Sequence, residues 1–532
     1  MALQDLDDIY SYVGSFGRFQ AKLQVFLSLM KIPQTSMVLI MYFAALNPPQ
    51  MLSKNYAGND TPHLNETIND ICSLPREMRE YTEHRDYSIV TRYDLACGKE
   101  WYIDLSTSAI FIGRVLGSLI FGYLGDHYGR KIVLLSTFTG ILVVSAASKL
   151  LPFAEMFLVS RLFVGAFIAG TVMTQYVLAS EFVGVKYRPV VTVQLFMMTP
   201  VTDALLGGLA YVIRDWRYLF LACTLPYIPM LFLWRWVPES YRWLHAQGRS
   251  EEALDLVKRI ARANKKEIPQ SPEAPVETYN QETTTVSSTK AASTGALSNF
   301  KNRRVIFMTL SFGIGMAAVT TGTNGMVLAA GKFQGLDIYQ NFVLTSLSGI
   351  PAGILAMLGC RKVGRKPTVL IPLAIAGIFT ICTPFIPSNT SLVYLRLTCG
   401  IIGKLLFTLA NMAIYTWSVE VYPTSIRAFS VGFLQVWAQI GGAASPWIVN
   451  SLVVFNPYVP FVVMGSGAIV ASFLMMHLPE TKDATENELM EVFSNEKEEP
   501  NNFDSLVMKS GAIIASLLKM HLPETKDTVK RE

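Results

Sequence analysis

Gly122-Tyr-Leu-Gly-Asp-His-Tyr-Gly-Arg-Lys131 places charge and glycine between two long apolar runs. Glycine permits a tight turn and close helix approach, Asp126 can cap or pair with a neighbouring helix end, and Arg130 and Lys131 anchor their side of a bilayer. The stretch therefore predicts a short turn between two membrane helices. It also recurs, because Gly364-Arg365-Lys366 follows a later apolar run. At the same offset Arg161-x-x-x-Gly165 returns as Arg396-x-x-x-Gly400. At slightly longer offsets Glu181 and Arg188 return as Glu420 and Arg427, and Pro238-Glu239-Ser240 as Pro479-Glu480-Thr481. Matches of the same rank in each half are an internal repeat.

Two parallel six-span halves are the plan of the major facilitator transporters, and composition agrees. Hydrophobic residues make up 51% of the 532, charged residues only 16%, and the mean hydropathy is +0.34. That is too apolar for a soluble chain; twelve spans of roughly 20 residues would use about 240 of them. The formal charge of +5 is carried in short loops, which suits lipid headgroups and topology and argues against a nucleic-acid partner. The first 20 residues are polar and acidic, so no cleavable signal peptide is expected.

Four ordered motifs resemble the organic cation, carnitine and organic anion transporters of solute carrier family 22. They are Val13-Gly-Ser-Phe-Gly-Arg-Phe-Gln20, Ser88-Ile-Val-Thr-Arg-Tyr-Asp-Leu-Ala-Cys97, Pro238-Glu-Ser-Tyr-Arg-Trp243 and Glu420-Val-Tyr-Pro-Thr-Ser-Ile-Arg427. The resemblance covers most of the chain and implies an all-α major facilitator fold of twelve transmembrane helices in two pseudo-symmetric halves, working by alternating access.

In order, the expected parts are a cytoplasmic N-terminus (1–20), a first six-helix half (21–237), a cytoplasmic linker (238–303), a second half (304–478) and a cytoplasmic tail (479–532). The sixth run is placed near 218–237. The first half contains a large loop, 46–101, whose sequon at Asn65 and two cysteines, Cys72 and Cys97, suit a glycosylating, oxidising exterior, so Asn65 is expected to carry a glycan and the cysteines a disulfide. In the linker, Ser250, Glu251 and Glu252 start an amphipathic helix whose Leu254, Val257 and Ile260 should line one face against the bundle. In the tail, residues 510–527 repeat residues 466–483 with 15 of 18 identities; Lys509 and Lys519 leave this copy too short to span, and no transport role is expected of it.

Enzyme chemistry finds no support. No Gly-Lys pair has the spacing of a phosphate loop, and no His-Glu-x-x-His or paired-cysteine pattern is present, so neither cofactor nor metal is expected. Function should rest on charges inside apolar runs, each costing roughly 2.5–3.5 kcal/mol at a helix centre. Lys31, Arg114, Asp203 and Lys404 all fall near mid-span. The substrate site is expected to combine Lys31, Asp203 and Lys404 with Gln175, Tyr176, Thr323, Asn324, Tyr415, Trp437 and Gln439 as hydrogen-bonding and aromatic walls. A gate of ion pairs among Asp126, Arg130, Glu181, Arg188, Arg365, Glu420 and Arg427 should close the inner face.

The resemblance leaves the sign of the substrate open. Where cation carriers of the family have an acid in the eleventh span, and many anion and carnitine carriers a base, this chain has Gln439; at an acidic position of cation carriers near the eighth span it has Gly349. One mid-span acid with several bases suits a small organic cation or a carnitine-like zwitterion, with organic anion exchange as the runner-up. No coupling ion is indicated.

Overall fold

The computed structural model describes residues 10, 13–45, 51–53, 79–81, 87–233, 236–266, 303–329, 336–387, 392–422 and 424–482. These contain α1 Arg18–Leu39, continued by α2 Met41–Ala44, then a hairpin of β1 Met51–Ser53 with β2 Arg79–Tyr81, and α3 Ile89–Tyr93. The rest of the first half is α4 Trp101–Tyr128, α5 Arg130–Ala147, α6 Ala154–Glu181, α7 Arg188–Val212, α8 Trp216–Ala222 and α9 Pro229–Phe232. The linker holds α10 Tyr241–Ala246 and α11 Ser250–Ala263. The second half is α12 Arg303–Ala329, α13 Ile338–Leu347 with α14 Gly349–Lys362, α15 Arg365–Cys382, α16 Val393–Val421, α17 Thr424–Pro446 and α18 Val459–Met475.

Among the described residues nine helices are long and apolar enough to cross a membrane. With α17, α18 and the broken α8–α9 segment they supply the twelve passes. The expected sixth run does not form one helix. Pro226 and Pro229 interrupt it, splitting α8 from a 3-10 turn at Leu225–Tyr227 and from α9, because proline lacks an amide donor and collides with the preceding turn. By contrast α1 runs on through Pro33 and α7 through Pro200, as membrane helices can when neighbours satisfy the freed carbonyls.

The opening motif forms a turn, and its repeat shows what the turn requires. Gly129 and Gly364 have φ of +102° and +130°, a region that a Cβ disfavours. The helices α5 and α15 start immediately afterwards, and their first amides need acceptors. Glu239 supplies one for α5, accepting from the amide of Arg130 at 2.9 Å and of Lys131 at 3.1 Å. Glu480 does the same for α15, accepting from Arg365 at 2.9 Å and Lys366 at 3.0 Å. The Pro-Glu-Ser/Thr repeat is thus a helix cap delivered from the far end of each half. Burial holds the Glu239 carboxyl above the usual range despite these donors.

Close approach within the first half follows from Gly113-x-x-x-Gly117 on α4 and Gly165 on α6. A Cβ at Gly113 or Gly117 would run into the backbone of Leu162 or Ala166, and one at Gly165 into that of Ile110, as small-residue helix packing in membranes requires. One buried cluster fills the second half around Phe312, Phe407 and Trp417. Another, around Phe19, Leu27, Phe138 and Phe182, lies toward the linker and takes in Ile260 and Ala261. A third joins Phe43, Phe157 and Trp216 to Phe342 of the second half. Around the bundle Leu119, Val143, Val212, Phe232 and Phe473 stay exposed, a surface suited to acyl chains and not to water.

Two faces are defined by what they carry: the linker face by α11, the loop face by residues 46–101. On the linker face the Asn264 side chain accepts from the Phe19 amide at 3.0 Å and donates to the Val13 carbonyl at 3.1 Å and the Gln20 carboxamide at 2.9 Å. Linker helix and amino-terminal segment are thereby clasped to α1. The apolar face of α11 differs from expectation, since Ala253, Ile260 and Ala261 are buried while Leu254 is 49% exposed. Leu254 is one position, about 100°, round the helix from Ala253.

On the loop face the halves are tied together. Asn450 Nδ2 donates to Asp104 Oδ1 at 2.7 Å and Ser451 Oγ to Asp104 Oδ2 at 3.1 Å. Ser108 Oγ donates to the Ala443 carbonyl at 2.6 Å, and Trp447 Nε1 donates to Ser108 Oγ at 3.0 Å. A π-helical turn, Trp447–Ser451, presents the Trp447, Asn450 and Ser451 side chains. An aromatic seal accompanies them: Phe43 stacks on Tyr339 at 5.4 Å and meets Phe342 at 4.7 Å. Deeper between the halves, α7 faces α14 through soft or missing side chains, with Gly353 against the sulfurs of Met197 and Met412 and Gly349 against Pro200.

Candidate functional site

Lys31 on α1, Asp203 on α7 and Lys404 on α16 come together from both halves, 8%, 5% and 3% exposed. Asp203 lies within electrostatic reach of both lysines, yet its Oδ1 is buried without a hydrogen-bond partner. The helices place them by periodicity, since Asp203 continues the buried stripe Val191, Leu195, Thr202, Leu206 and Ala210 of α7. Arg114, half-buried on α4, adds a third base within reach of Lys31.

An aromatic string runs beside these charges. Tyr176 on α6 meets Phe196 on α7 at 5.4 Å, and Phe196 meets Tyr415 on α16 at 5.8 Å, so three rings bridge the halves. The Lys31 ammonium sits over the Tyr176 ring, 5.1 Å from its centroid, a cation–π distance. Tyr415 donates its hydroxyl to Gln435 Oε1 at 3.3 Å, whereas the Tyr176 hydroxyl is buried and unpartnered. Sequence reasoning missed Phe196, which stands in a run indistinguishable from core, and had no cue for Asp104.

The remaining candidates are less central. Gln175 spends its amide on the Leu27 carbonyl, bracing α6 against α1, although its Oε1 is unpartnered. Gln439 is buried with a free Oε1. Thr323 bonds back to the Val319 carbonyl and Asn324 to that of Thr320; Asn324 lines a small cavity with Tyr42, Thr107, Phe111 and Ser445, among residues of the loop-face closure. Trp437 packs on the core of the second half, against Gly313.

Two ion pairs among the described gate residues each lie within one half. Arg130 pairs with Asp126 at 2.9 Å, and Arg365 with Glu420 at 2.8 Å, while Thr481 also donates to Glu420 at 2.7 Å. Glu181 receives the Tyr10 hydroxyl on its carbonyl, and Arg188 lies within electrostatic reach of Tyr10. The side chain of Arg427, together with Asn65, Cys72 and the repeat 510–527, lies outside the described residues. Cys97 is disulfide-bonded; Cys223, Cys360, Cys382 and Cys399 are free thiols.

Two repeated helical halves, sealed on one face around buried charges, define a multi-pass membrane transporter and not an enzyme. Comparison with known proteins agrees. The sugar (and other) transporter family model matches residues 52–493. Rat solute carrier family 22 member 3 is 30% identical over 396 residues, 74% of this chain and 70% of that protein. Human organic cation/carnitine transporter 2 is 31% identical over 398 residues, 74% and 69%. An organic cation transporter protein of Drosophila melanogaster is 28% identical over 541 residues, 93% and 95%. Among solved structures, inward-open xylose transporter XylE from E. coli superposes with a TM-score of 0.62 over 88% of this chain and 99% of its own, at 14% identity, which bears on the fold alone. The chain belongs to the sugar (and other) transporter family and, within it, to solute carrier family 22.

Proposed function

We propose that the protein carries small organic cations or zwitterions, carnitine-like in chemistry, across the plasma membrane by alternating access, with both termini cytoplasmic. The loop face is then exterior, and the state described above is inward-facing. One observation carries the reading: a buried carboxylate, Asp203, with one oxygen unpartnered, is within electrostatic reach of lysines from opposite halves, one of which sits over a ring of the aromatic string. An ammonium fits the acid and the rings; a carboxylate fits the bases. The relatives named for organic cations and carnitine support this class. The intra-half pairs at Arg130 and Arg365 brace the linker-face ends of the helices, and the gate works as these braced ends approach. Organic anion exchange is the second reading, favoured by Lys31, Arg114 and Lys404 facing one acid.

The test is an uptake panel of one cation, one zwitterion and one anion at two membrane potentials, since about 100 mV is worth roughly 2.3 kcal/mol per charge. Asp203→Asn at equal surface expression should lose cation or zwitterion uptake. Robust anion uptake that survives Asp203→Asn would select the second reading instead.

A further inference from the structure

The ring of Tyr176 is already occupied by a cation of the protein itself. Lys31 projects from α1 onto that ring at 5.1 Å, within electrostatic reach of both Asp203 and the repelling Arg114 guanidinium. Both features that would recognise an ammonium, the π face and the carboxylate, thus face the lysine. The Asp203 Oδ1 stays unpartnered even so, so neither Lys31 nor Lys404, whose charge acts more strongly on the acid, takes a hydrogen bond to that oxygen. A lysine ammonium is a point charge on a flexible four-carbon stem, so it can swing off the ring while α1 stays in place.

We propose that Lys31 is a tethered competitor: it holds the cation seat of the empty carrier, and a substrate's ammonium must displace it. Displacement leaves a buried ammonium that needs a new partner, and an unpaired buried charge is costly. A substrate carrying its own carboxylate provides that partner, whereas a simple cation adds a second positive charge to a site holding Arg114 and Lys404 as well. The competitor therefore selects zwitterions over cations with the same head group. This inference rests on the organic-ion reading above and sharpens it from either charge class to one.

The cleanest probe pair is tetramethylammonium and glycine betaine, which share a trimethylammonium head and differ by the carboxylate. Uptake of each is measured in wild type, Lys31→Met, Lys31→Arg and the double variant Lys31→Met with Tyr176→Leu, at matched surface amounts. Lys31→Gln replaces Lys31→Met if the latter does not reach the surface. Freed from its competitor, the seat in Lys31→Met should lower the KM for tetramethylammonium by about tenfold, in keeping with a desolvated cation–π contact. The KM for glycine betaine should rise, and the maximal rates should move little. Lys31→Arg should keep the wild-type preference, and the double variant should lose the tetramethylammonium gain. An unchanged KM ratio in Lys31→Met, or equal falls in maximal rate for both compounds, overturns the competitor while leaving organic-ion transport standing. Wild type that moves neither these compounds nor the cation, zwitterion and anion of the wider panel removes the transport reading and the competitor with it.

Discussion

Replacing Asp104 by alanine removes two acceptors of the loop-face bond set while sparing the bonds of Ser108 to Ala443 and Trp447. The bonds from Asn450 at 2.7 Å and Ser451 at 3.1 Å go with them. Bonds to a charged group contribute about 1.5–3 kcal/mol each, but in the opened state water takes over part of that role, and Asn450 and Ser451 lose their partner only in the closed one. A net shift of about 3 kcal/mol towards loop-face opening follows, close to a hundredfold in the population ratio at about 1.4 kcal/mol per decade. The assay is labelling by a membrane-impermeant maleimide of a cysteine placed at Thr107, buried at 7% exposure beside the seal. Labelling should quicken in Asp104→Ala relative to the parent, and Asp104→Asn, which keeps one acceptor, should fall between. Identical labelling in all three at equal surface amounts would refute the idea that these bonds hold the face shut.

Removing the cap on α5 by Glu239→Ala should lower the melting temperature in detergent more than Glu239→Gln, because caps contribute about 0.5–2 kcal/mol and glutamine retains an acceptor; equal losses would count against capping. Since burial raises the Glu239 carboxyl above its ordinary value, the folded chain binds that proton more tightly than the unfolded chain. Its contribution to stability is then fully present below the ordinary carboxyl pKa and is lost as pH rises through the raised one, so the wild-type minus Glu239→Gln stability difference should fall over that window; a difference rising with pH would show the reverse shift. Phe196→Leu should break the ring string and raise KM for an aromatic or quaternary ammonium substrate several-fold while sparing surface expression, as uptake kinetics will show; an unchanged KM excludes Phe196 from the site. In the loop, Cys97 is expected to pair with Cys72 and Asn65 to be glycosylated: deglycosidase should shift the mass, and thiol alkylation before and after reduction should differ by two sites.

Pattern made most of the architecture legible. Spans follow from apolar length, and the half-to-half correspondence from Lys131 and Lys366, Arg161 and Arg396, Glu239 and Glu480. Charge is equally conspicuous in an apolar run, so Lys31, Asp203 and Lys404 are legible in the sequence. Phe196 did not, because an aromatic residue at helical spacing reads the same whether it meets core or ligand. Asp104 sits at the edge of its run, where acids are ordinary, and only the π-turn opposite gives it partners. Prolines 226 and 229 were visible, but whether a proline bends or breaks a helix depends on neighbours that sequence spacing does not report. The pairing of the expected gate residues is not legible in the sequence, since repeat spacing marks equivalent positions without saying which helices meet.

The glycine and methionine surface between α7 and α14 is a joint across which the two halves can slide. Hydrogen bonds at Asp104 and rings at Phe43 tie the loop face, whereas Gly349 and Gly353 on α14 meet Pro200 and Met197 on α7, with Met412 of α16 beside Gly353. Unbranched thioethers reshape at little cost, and a missing Cβ leaves no ratchet tooth to ride over. Such a joint behaves as a lubricated bearing, and a methyl group added at Gly353 would run into the Met197 sulfur and burden the state in which the two helices are this close.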